Sequence, residues 1–284
     1  MPRIYLNGSF LEREEARLPI GDRGFFFADG IYEVTRVIRG RLFEEDAHWS
    51  RLAQGARDIS LAIEGHLDRD RLREISRRLI EENDLGRSEA TVYLQITRGA
   101  APRTHWFPPA GTPPTVFASA APFEIPRELR SRGAPAITHP DIRWARCDIK
   151  SVNLLPNVLA KQRAHEVGAF EAVLIRDGAV TEGASANIFG VIDGRVRTYP
   201  LSNLILPGVT RRVILELARE LGIGVEERPI YAEELPLLQE LFATGTTTDV
   251  QPLVSLDGRP VGDGHPGPIA TALREALEKR MGVA

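Results

Sequence analysis

Only three side chains of the 284-residue chain carry a primary amine, Lys150, Lys161 and Lys279, against 33 arginines. Lys150 lies in the segment CDIKSVNLL, between apolar neighbours and just before a predicted helix. An amine on partly apolar ground loses some of the solvation that favours its charged form, which suits it to Schiff-base and proton-transfer chemistry. Lys161 and Lys279 lie in predicted helices and are expected to face solvent. Lys150 is therefore the candidate reactive amine, and a side chain that only extends into solvent is the alternative.

Three further segments contain groups suited to a charged small molecule. Glu182 follows a predicted strand in AVTEGASANIF, where a carboxylate can keep a cationic ring nitrogen protonated, the alternative being a solvated turn residue. LPGVTRR places Val209 and Thr210 at a predicted helix start, where free amides and the helix dipole favour a phosphate, unless Thr210 is a plain N-cap. ATGTTTD adds Gly245 and three hydroxyls, which form either a second phosphate-binding segment or a simple turn.

Composition and missing motifs exclude several classes of function. The net charge is −3 and the pI is near 6.1, so the positive field that nucleic acids or anionic membranes require is lacking. No apolar stretch suits a membrane span or a signal peptide, and we predict a cytoplasmic protein. The single cysteine excludes an internal disulfide framework, and the six histidines lack metal-ligand spacing, so no metal is expected. Nucleophile-elbow, P-loop and dinucleotide-binding motifs are also missing.

The apolar pattern predicts an α+β fold. Predicted in the first half are a hairpin at 3–10, strands at 32–38 and 90–97, and helices from about 45 and at 70–82. After a Gly- and Pro-rich loop at 99–114 come strands TVFASA, ITHP, EAVLIRD, ANIFGVID and VRTYP, and helices at 156–167 and 210–221. The order has no regular βαβ rhythm, which disfavours a doubly wound sheet. With about twice a typical domain length, we predict an N-terminal domain over 1–119, a linker over 120–126, and a C-terminal domain over 127–284 that carries the reactive lysine.

Seven blocks of sequence occur in order from about residue 3 to about residue 260: DRGFFFADGIYEV, HWSRL, PRTHWFP, DIRWARCDIKSVNLL, TEGASANIFG, LPGVTRR and TGTTTD. They resemble blocks of the D-amino-acid transaminases, within the fold-type IV (class IV) pyridoxal-phosphate-dependent aminotransferases. The resemblance implies a two-domain fold-type IV architecture with pyridoxal 5'-phosphate between the domains. It also implies a homodimer that catalyses ping-pong transamination of D-amino acids, such as D-alanine and D-glutamate, with 2-oxoglutarate or pyruvate.

The resemblance assigns cofactor-binding roles to individual positions. Lys150 would form the Schiff base with the cofactor, and Glu182 would contact its ring nitrogen. Leu206 would pack against the ring. The cofactor phosphate would be held by Arg51, by the backbone of Val209 and Thr210, and by the hydroxyl of Thr246. The sequence departs from the family pattern at 184–186, where Ala-Ser-Ala replaces three consecutive serines, which puts water-mediated cofactor contacts in doubt.

The resemblance also implies a substrate site. Tyr32 would line it near the lysine, and Arg103 and His105 would bind the substrate carboxylate from the neighbouring subunit. The Lys and TEG blocks are shared by branched-chain aminotransferases, aminodeoxychorismate lyases and (R)-selective amine transaminases, which remain alternatives. Only the Arg-x-His motif indicates the D-amino-acid branch. A non-catalytic homologue is a further alternative, disfavoured because Lys150 and Glu182 are both present.

Overall fold

The computed structural model describes residues 2–283, which form two compact units. The first unit comprises the chain up to Glu124 together with Ile149–Asn153, and the second comprises Ile125–Asp148 and the chain from Leu154 onward. The division after Glu124 lies within the linker predicted at 120–126. No helix in residues 2–283 is both long and apolar enough to cross a membrane.

The segment Ile149–Asn153 groups with the first unit, whereas the sequence assigned Lys150 to the C-terminal domain. Backbone hydrogen bonds explain the difference. The Tyr32 N–H donates to the Lys150 carbonyl at 3.0 Å, and the Val152 N–H donates to the Gly30 carbonyl at 3.1 Å. Lys150 is thus attached to a strand of the first unit, although it is distant from that strand in the chain.

The first unit contains a six-stranded sheet. Its strands are β1 (Arg3–Leu6), β2 (Ser9–Glu12), β3 (Gly30–Ile38), β4 (Arg41–Leu42), β5 (Glu89–Thr97) and β6 (Thr115–Pro122), in the order β2-β1-β6-β5-β3-β4. All neighbours are antiparallel. The predicted hairpin is confirmed, with a two-residue turn at Asn7-Gly8 in which both residues have positive φ, as a type I′ turn requires.

Three helices belong to this unit: α1 (Arg23–Phe27), α2 (Glu45–Asp58) and α3 (Arg69–Glu82). The helices predicted from about 45 and at 70–82 are confirmed, whereas the sequence did not indicate α1. A core of buried residues joins α2 and α3 to the sheet, including Leu52, Leu79, Leu94 and Ile96. Because one face of β3 packs on this core, its residues of alternate parity are positioned away from it or at its edge.

The second unit contains a mixed ten-stranded sheet. Its strands are β7 (Ala134–Pro140), β8 (Glu171–Arg176), β9 (Ala179–Gly183), β10 (Asn187–Ile192), β11 (Arg195–Thr198), β12 (Val225–Glu227), β13 (Ile230–Tyr231), β14 (Glu240–Gly245), β15 (Asp249–Leu256) and β16 (Arg259–Pro260). The order is β12-β11-β10-β14-β15-β7-β8-β9-β13, and β16 pairs with β15. Parallel pairs, such as β7 with β8, alternate irregularly with antiparallel ones, so the predicted lack of a doubly wound sheet is confirmed.

The helices of this unit are α4 (Arg127–Arg132), α5 (Leu155–Glu166), α6 (Val209–Glu220) and α7 (Pro268–Met281). The predictions at 156–167 and 210–221 are confirmed to within one residue at each end. Two local assignments were wrong. Glu182 lies inside β9 instead of following a strand, and the N-cap of α6 is Gly208, not Thr210.

Candidate active site

Lys150 lies over the face of Tyr32, whose ring centroid is 4.2 Å from the lysine Nζ. Tyr32 stacks in turn on Tyr93 at 5.7 Å between centroids, and the Tyr93 hydroxyl donates to Gln95 at 2.8 Å. Burial, together with the neighbouring Tyr32, raises the pKa of Tyr93 to about 12. Within residues 2–283, the Lys150 ammonium has no hydrogen-bond or ion-pair partner, and its side chain is only partly buried. The amine is thus near one aromatic face and available to react.

The other two lysines have different surroundings. Lys161 was expected to face solvent, but its Nζ donates to the Phe170 carbonyl and lies 3.2 Å from the fully buried Glu171 carboxylate. Glu171 also accepts the Ser185 hydroxyl at 2.9 Å, so this ion pair belongs to the packing of the segment after β9. Lys279 is exposed, as predicted. Lys150 therefore remains the candidate reactive amine.

Arg51 is oriented by a buried carboxylate. On β3, Glu33 receives the Arg51 Nε at 2.7 Å and Nη2 at 2.8 Å, and the His48 Nδ1 lies 2.8 Å from the same carboxylate. Burial raises the pKa of Glu33, but the charge and hydrogen bonds of Arg51 lower it to about 2. Burial also lowers the pKa of His48, outweighing the hydrogen bond with Glu33. The guanidinium is consequently fixed by an ionised partner.

Arg103 and His105 lie on the exposed loop that follows β5. Both contact the ring of Phe27 from α1, with centroid distances of 5.2 Å from the Arg103 Cζ and 5.6 Å from the His105 ring. The two side chains are therefore gathered around one aromatic ring, and both are open to solvent. Trp106 and Phe107, next along the same loop, are exposed by 74% and 54%.

Glu182 is a buried carboxylate with three donors. Its Oε1 accepts a hydrogen bond from Arg143, and its Oε2 accepts the Asn187 side-chain amide at 3.0 Å and the Leu206 N–H at 3.1 Å. Burial raises the pKa of Glu182 to about 7, although the charge of Arg143 opposes the rise. A carboxylate accepts about four hydrogen bonds. One accepting position thus remains for a further donor.

Arg143 joins Glu182 to a second buried carboxylate. Its Nη2 lies 2.8 Å from Asp141, which also pairs with Arg176 at 3.0 Å and accepts the Thr181 hydroxyl at 2.9 Å. Burial would lower the pKa of Arg143, but the two carboxylates raise it well above its usual value. The sequence analysis did not single out this pairing, because Arg143 and Asp141 are separated from Glu182 by about 40 residues.

The start of α6 offers backbone donors. Its N-cap makes no side-chain capping hydrogen bond, and Val209 and Thr210 are buried at its first two positions. The first amides of a helix have no intrahelical partner, so these N–H groups are free to bind an anion. Gly208 lies so close to Asn187 that a Cβ would be 2.0 Å from its Oδ1. Only glycine allows this approach.

Leu206 and Thr246 lie in the same unit as α6. Leu206 is partly buried, and its carbonyl accepts the Asn187 amide at 2.9 Å, while its N–H binds Glu182. Thr246 is partly buried in the turn between β14 and β15, and its hydroxyl has no hydrogen-bond partner within residues 2–283. The turn is supported from below by an ion pair of 2.5 Å between Arg130 and Asp249, both buried.

The sequence model of the class IV aminotransferases matches residues 30–256. A D-alanine aminotransferase from Bacillus licheniformis is 42% identical over 279 residues, which make up 98% of this chain and 97% of the relative. The chain belongs to the class IV aminotransferase family. The family, the fold-type IV architecture and the enzyme class predicted from sequence are thereby confirmed.

Solved class IV aminotransferases have the same fold as this chain. A branched-chain amino acid aminotransferase from Escherichia coli superposes with a TM-score of 0.90 at 28% identity, covering 99% of this chain and 95% of the other. A branched-chain enzyme from T.th., solved with pyridoxamine 5'-phosphate, superposes at 0.87 with 27% identity, 99% and 95% coverage. The class IV aminotransferases use pyridoxal 5'-phosphate, which confirms the predicted cofactor.

The residues that sequence reasoning missed are charged groups buried on strands or between elements. Glu33 is one example, because in GIYEVTRVI it lies on the same face as the buried Ile31. A charged residue at a buried position of a strand requires a partner, and this was the available signal. Asp141 and Arg143 gave no such signal, since they lie outside any regular pattern between β7 and Lys150.

Proposed function

We propose that this class IV aminotransferase transfers amino groups between D-amino acids and 2-oxo acids, with D-alanine and D-glutamate as donors and 2-oxoglutarate or pyruvate as acceptors. The observation that carries the proposal is the pair of Arg103 and His105 gathered around Phe27 on one exposed loop. Together they offer a guanidinium fork and an imidazole to a carboxylate. The 42% identity to a D-alanine aminotransferase, against 28% to a branched-chain enzyme, supports the same branch.

The groups of both units fit pyridoxal 5'-phosphate. A phosphate requires cationic and amide donors, and Arg51, the free amides of Val209 and Thr210 and the unpaired Thr246 hydroxyl supply them. A protonated pyridine requires an anionic acceptor, and the buried Glu182 has one accepting position left. Leu206 would cover the ring. Each group is proposed for this role on its own surroundings and on the family resemblance.

Lys150 is the proposed catalytic residue. Bound pyridoxal 5'-phosphate supplies an aldehyde that forms Schiff bases and a conjugated ring that takes up the electron pair released when the substrate loses its α-proton. The Lys150 Nζ removes this proton and later returns one, because it has no competing hydrogen-bond partner. The face of Tyr32, 4.2 Å away, favours the ammonium form and so helps Lys150 to hold the proton between the two transfers.

Glu182 and Arg143 act together in this proposal. Arg143 keeps the buried carboxylate ionised against the cost of burial, and the ionised carboxylate holds a proton on the ring nitrogen by a charge-assisted hydrogen bond. The Asn187 amide and the Leu206 N–H fix its second oxygen. Glu182 is thereby kept in one orientation, which a solvated turn residue would not have.

The carboxylate site would select the hand of the substrate. A carboxylate bound by Arg103 and His105 fixes one end of the amino acid, and the amino group is fixed at the cofactor. With two substituents fixed, only one enantiomer directs its α-hydrogen at the Lys150 Nζ. We infer that Arg103 and His105 reach the active site of the neighbouring subunit in a homodimer, as the family resemblance implies, and that the enzyme acts in the cytoplasm.

A half-reaction screen tests the proposed function. The cofactor-loaded enzyme is mixed with single D- or L-amino acids, or with an (R)-amine that lacks a carboxylate, and the visible absorbance of the cofactor is followed. D-Alanine and D-glutamate are expected to discharge it fastest. A preference for L-leucine or L-valine would contradict the D-amino-acid branch, and equal rates with the carboxylate-free (R)-amine would indicate an (R)-amine transaminase instead.

A further inference from the structure

We propose that Arg23, Asp29 and Arg98 form a positioning cluster that holds the substrate-carboxylate loop, residues 102–108, in its binding conformation. The part of the proposal that concerns substrate rests on the proposed function. The cluster explains why DRGFFFADG and PRTHWFP, which are separated by about 70 residues, belong to one site. None of the three residues is expected to touch substrate, so their effect is exerted through the loop.

The cluster is a buried arrangement of two cations around one anion. Asp29 accepts the Arg23 Nε at 2.8 Å and the Arg98 Nε at 2.9 Å. The two arginines are only 3% and 7% exposed. Burial raises the pKa of Asp29, but hydrogen bonds and charge from Arg98 and Arg23 lower it overall. Such buried ion pairs persist only where the remaining donors are also satisfied.

Each arginine uses its remaining donors differently. Arg98 donates to the carbonyls of Ile59 and Ser60, both at 2.7 Å, which anchors it to the end of α2. Arg23 instead donates its Nη1 to the Thr104 carbonyl at 2.8 Å. Thr104 lies between Arg103 and His105 in the chain, so this bond holds the loop at its functional centre.

Two aromatic contacts extend the attachment. The Arg23 Cζ lies 4.7 Å from the centroid of Phe27, the ring that also contacts Arg103 and His105. The Arg98 Cζ lies 3.8 Å from the centroid of Phe107, at the far end of the loop. The cluster therefore contacts the loop on both sides of the two candidate carboxylate ligands.

The loop has little other support from the rest of the first unit. Among the hydrogen bonds of residues 102–108 within the described chain, the bond from Arg23 is the one that joins the loop to another element. The others are local, from the Thr104 N–H to Pro102 and from its hydroxyl to Trp106. An exposed loop with so few bonds samples other conformations when its one attachment is weakened.

The same sheet offers a matched control. Glu89 accepts the Arg36 Nε at 2.9 Å and Nη2 at 2.6 Å, and the Arg36 Cζ lies 4.0 Å above the ring of Phe123. This arrangement of carboxylate, guanidinium and ring lies at the opposite end of β3 and β5, and it has no contact with the loop. Glu89→Gln therefore reproduces the loss of charge without affecting the loop attachment.

The experiment compares the cofactor-loaded wild type, Asp29→Asn and Glu89→Gln by amide hydrogen exchange and by kinetics. In Asp29→Asn we expect exchange in residues 102–108 to accelerate at least about tenfold. We also expect the KM for D-alanine to rise about tenfold while kcat stays within about twofold, because binding is weakened and chemistry is not. The KM for a carboxylate-free (R)-amine and the absorbance spectrum of the cofactor should not change. Glu89→Gln should match the wild type in each readout.

Several outcomes would overturn the proposal: unchanged exchange in residues 102–108, an equal acceleration in Glu89→Gln, or an equal rise in KM for the (R)-amine. If Asp29→Asn does not fold, Arg23→Lys takes its place, because a lysine can retain the charge near Asp29 but cannot also donate to Thr104 as a planar fork does. If the wild type does not react with D-amino acids, the proposed function fails, while the exchange data still decide whether the cluster holds the loop.

Discussion

Lys150 is distinguished from the other lysines by its contacts as well as by its neighbours in sequence. Its Nζ lies over Tyr32 without a hydrogen-bond partner in the described chain, whereas Lys161 is paired with the buried Glu171 and Lys279 is exposed. We predict that Lys150→Ala abolishes the Schiff base and lowers transamination by more than about a thousandfold. Borohydride reduction of the wild type, followed by peptide mass spectrometry, should find the pyridoxyl group on Lys150. Label on Lys161 would contradict the assignment.

Glu182 leads to a second prediction at the same scale. Glu182→Gln removes the charge that holds the ring-nitrogen proton while keeping the side-chain shape, so α-proton removal should slow about 10- to 100-fold, the effect of losing one charge-assisted hydrogen bond. Single-turnover absorbance with D-alanine measures this rate. The matched control is Glu240→Gln, since Glu240 is a buried carboxylate of the same unit that accepts the amides of Ile269 and Ala270.

Glu240→Gln should lower the stability of the protein without changing the half-reaction rate, because Glu240 caps α7 and is not assigned to the site. A half-reaction rate in Glu182→Gln equal to that of the wild type would remove Glu182 from its proposed role. Equal slowing in both variants would indicate that general loosening of the second unit is responsible.

At the scale of elements, the contact between β3 and α2 depends on an ionised carboxylate. The pKa of Glu33 is lowered to about 2 in the folded protein from a usual value of 4.5. A lowered pKa means that the unfolded chain binds the proton more tightly, so the stabilisation is complete above about pH 4.5 and is lost as the pH falls towards 2. Each unit of the difference corresponds to about 1.4 kcal/mol, and we predict a loss of about 3 kcal/mol over this range.

Urea unfolding measured between pH 5 and pH 2.5 tests this prediction. Glu33→Gln should be less stable than the wild type at pH 5, and the difference between the two proteins should shrink as the pH is lowered. The exposed Glu14 offers a control, because Glu14→Gln removes one carboxylate without a buried partner. A constant difference across the pH range would mean that Glu33 does not titrate with folding.

Local elements were predicted well where apolar periodicity is strong. β3, β5 and α3 were found because their apolar residues recur at strand or helix spacing. Strands β14 and β15 were not, because ELFATG and DVQPLVSL are buried on both faces and show no alternation. The helix α1 is only five residues long and begins at an Asp22 cap, too short for periodicity to indicate it.

The candidate site was predicted only in part for a related reason. Groups that touch a cofactor lie in short local motifs, so Lys150, Glu182 and the start of α6 could be recognised from sequence. Groups that position them are distant in the chain. The pairing of Glu33 with Arg51, or of Arg143 with Glu182, is produced by strand register and packing, which a single sequence does not specify.

At the scale of the whole molecule, the fold does not decide which substrate is used. Branched-chain aminotransferases superpose on this chain with TM-scores of up to 0.90, although the proposed substrates here have the opposite hand. The difference must therefore lie in a few side chains on a shared framework. Because the substrate-carboxylate loop is exposed and held by few bonds, it is the part of the first unit best able to differ between branches.

The proposed homodimer can be tested by complementation between two inactive variants. Lys150→Ala lacks the reactive amine, and Arg103→Ala lacks the carboxylate ligand. If Arg103 serves the neighbouring active site, a mixed dimer contains one site with both groups intact, made from Lys150 of one subunit and Arg103 of its partner. Random reassortment makes about half of the dimers mixed, so about a quarter of the wild-type activity towards D-alanine should return.

The outcome depends on which subunit supplies the arginine. If Arg103 acts on the site of its own chain, each site of a mixed dimer lacks one group, and mixing restores nothing. Activity towards a carboxylate-free (R)-amine serves as the internal control, because Arg103→Ala should retain that activity before mixing. Recovery with D-alanine only after subunit exchange, and in proportion to the mixed dimer resolved by native mass spectrometry, is the expected result. It follows from a site in which the amine and the carboxylate ligand come from different copies of the chain.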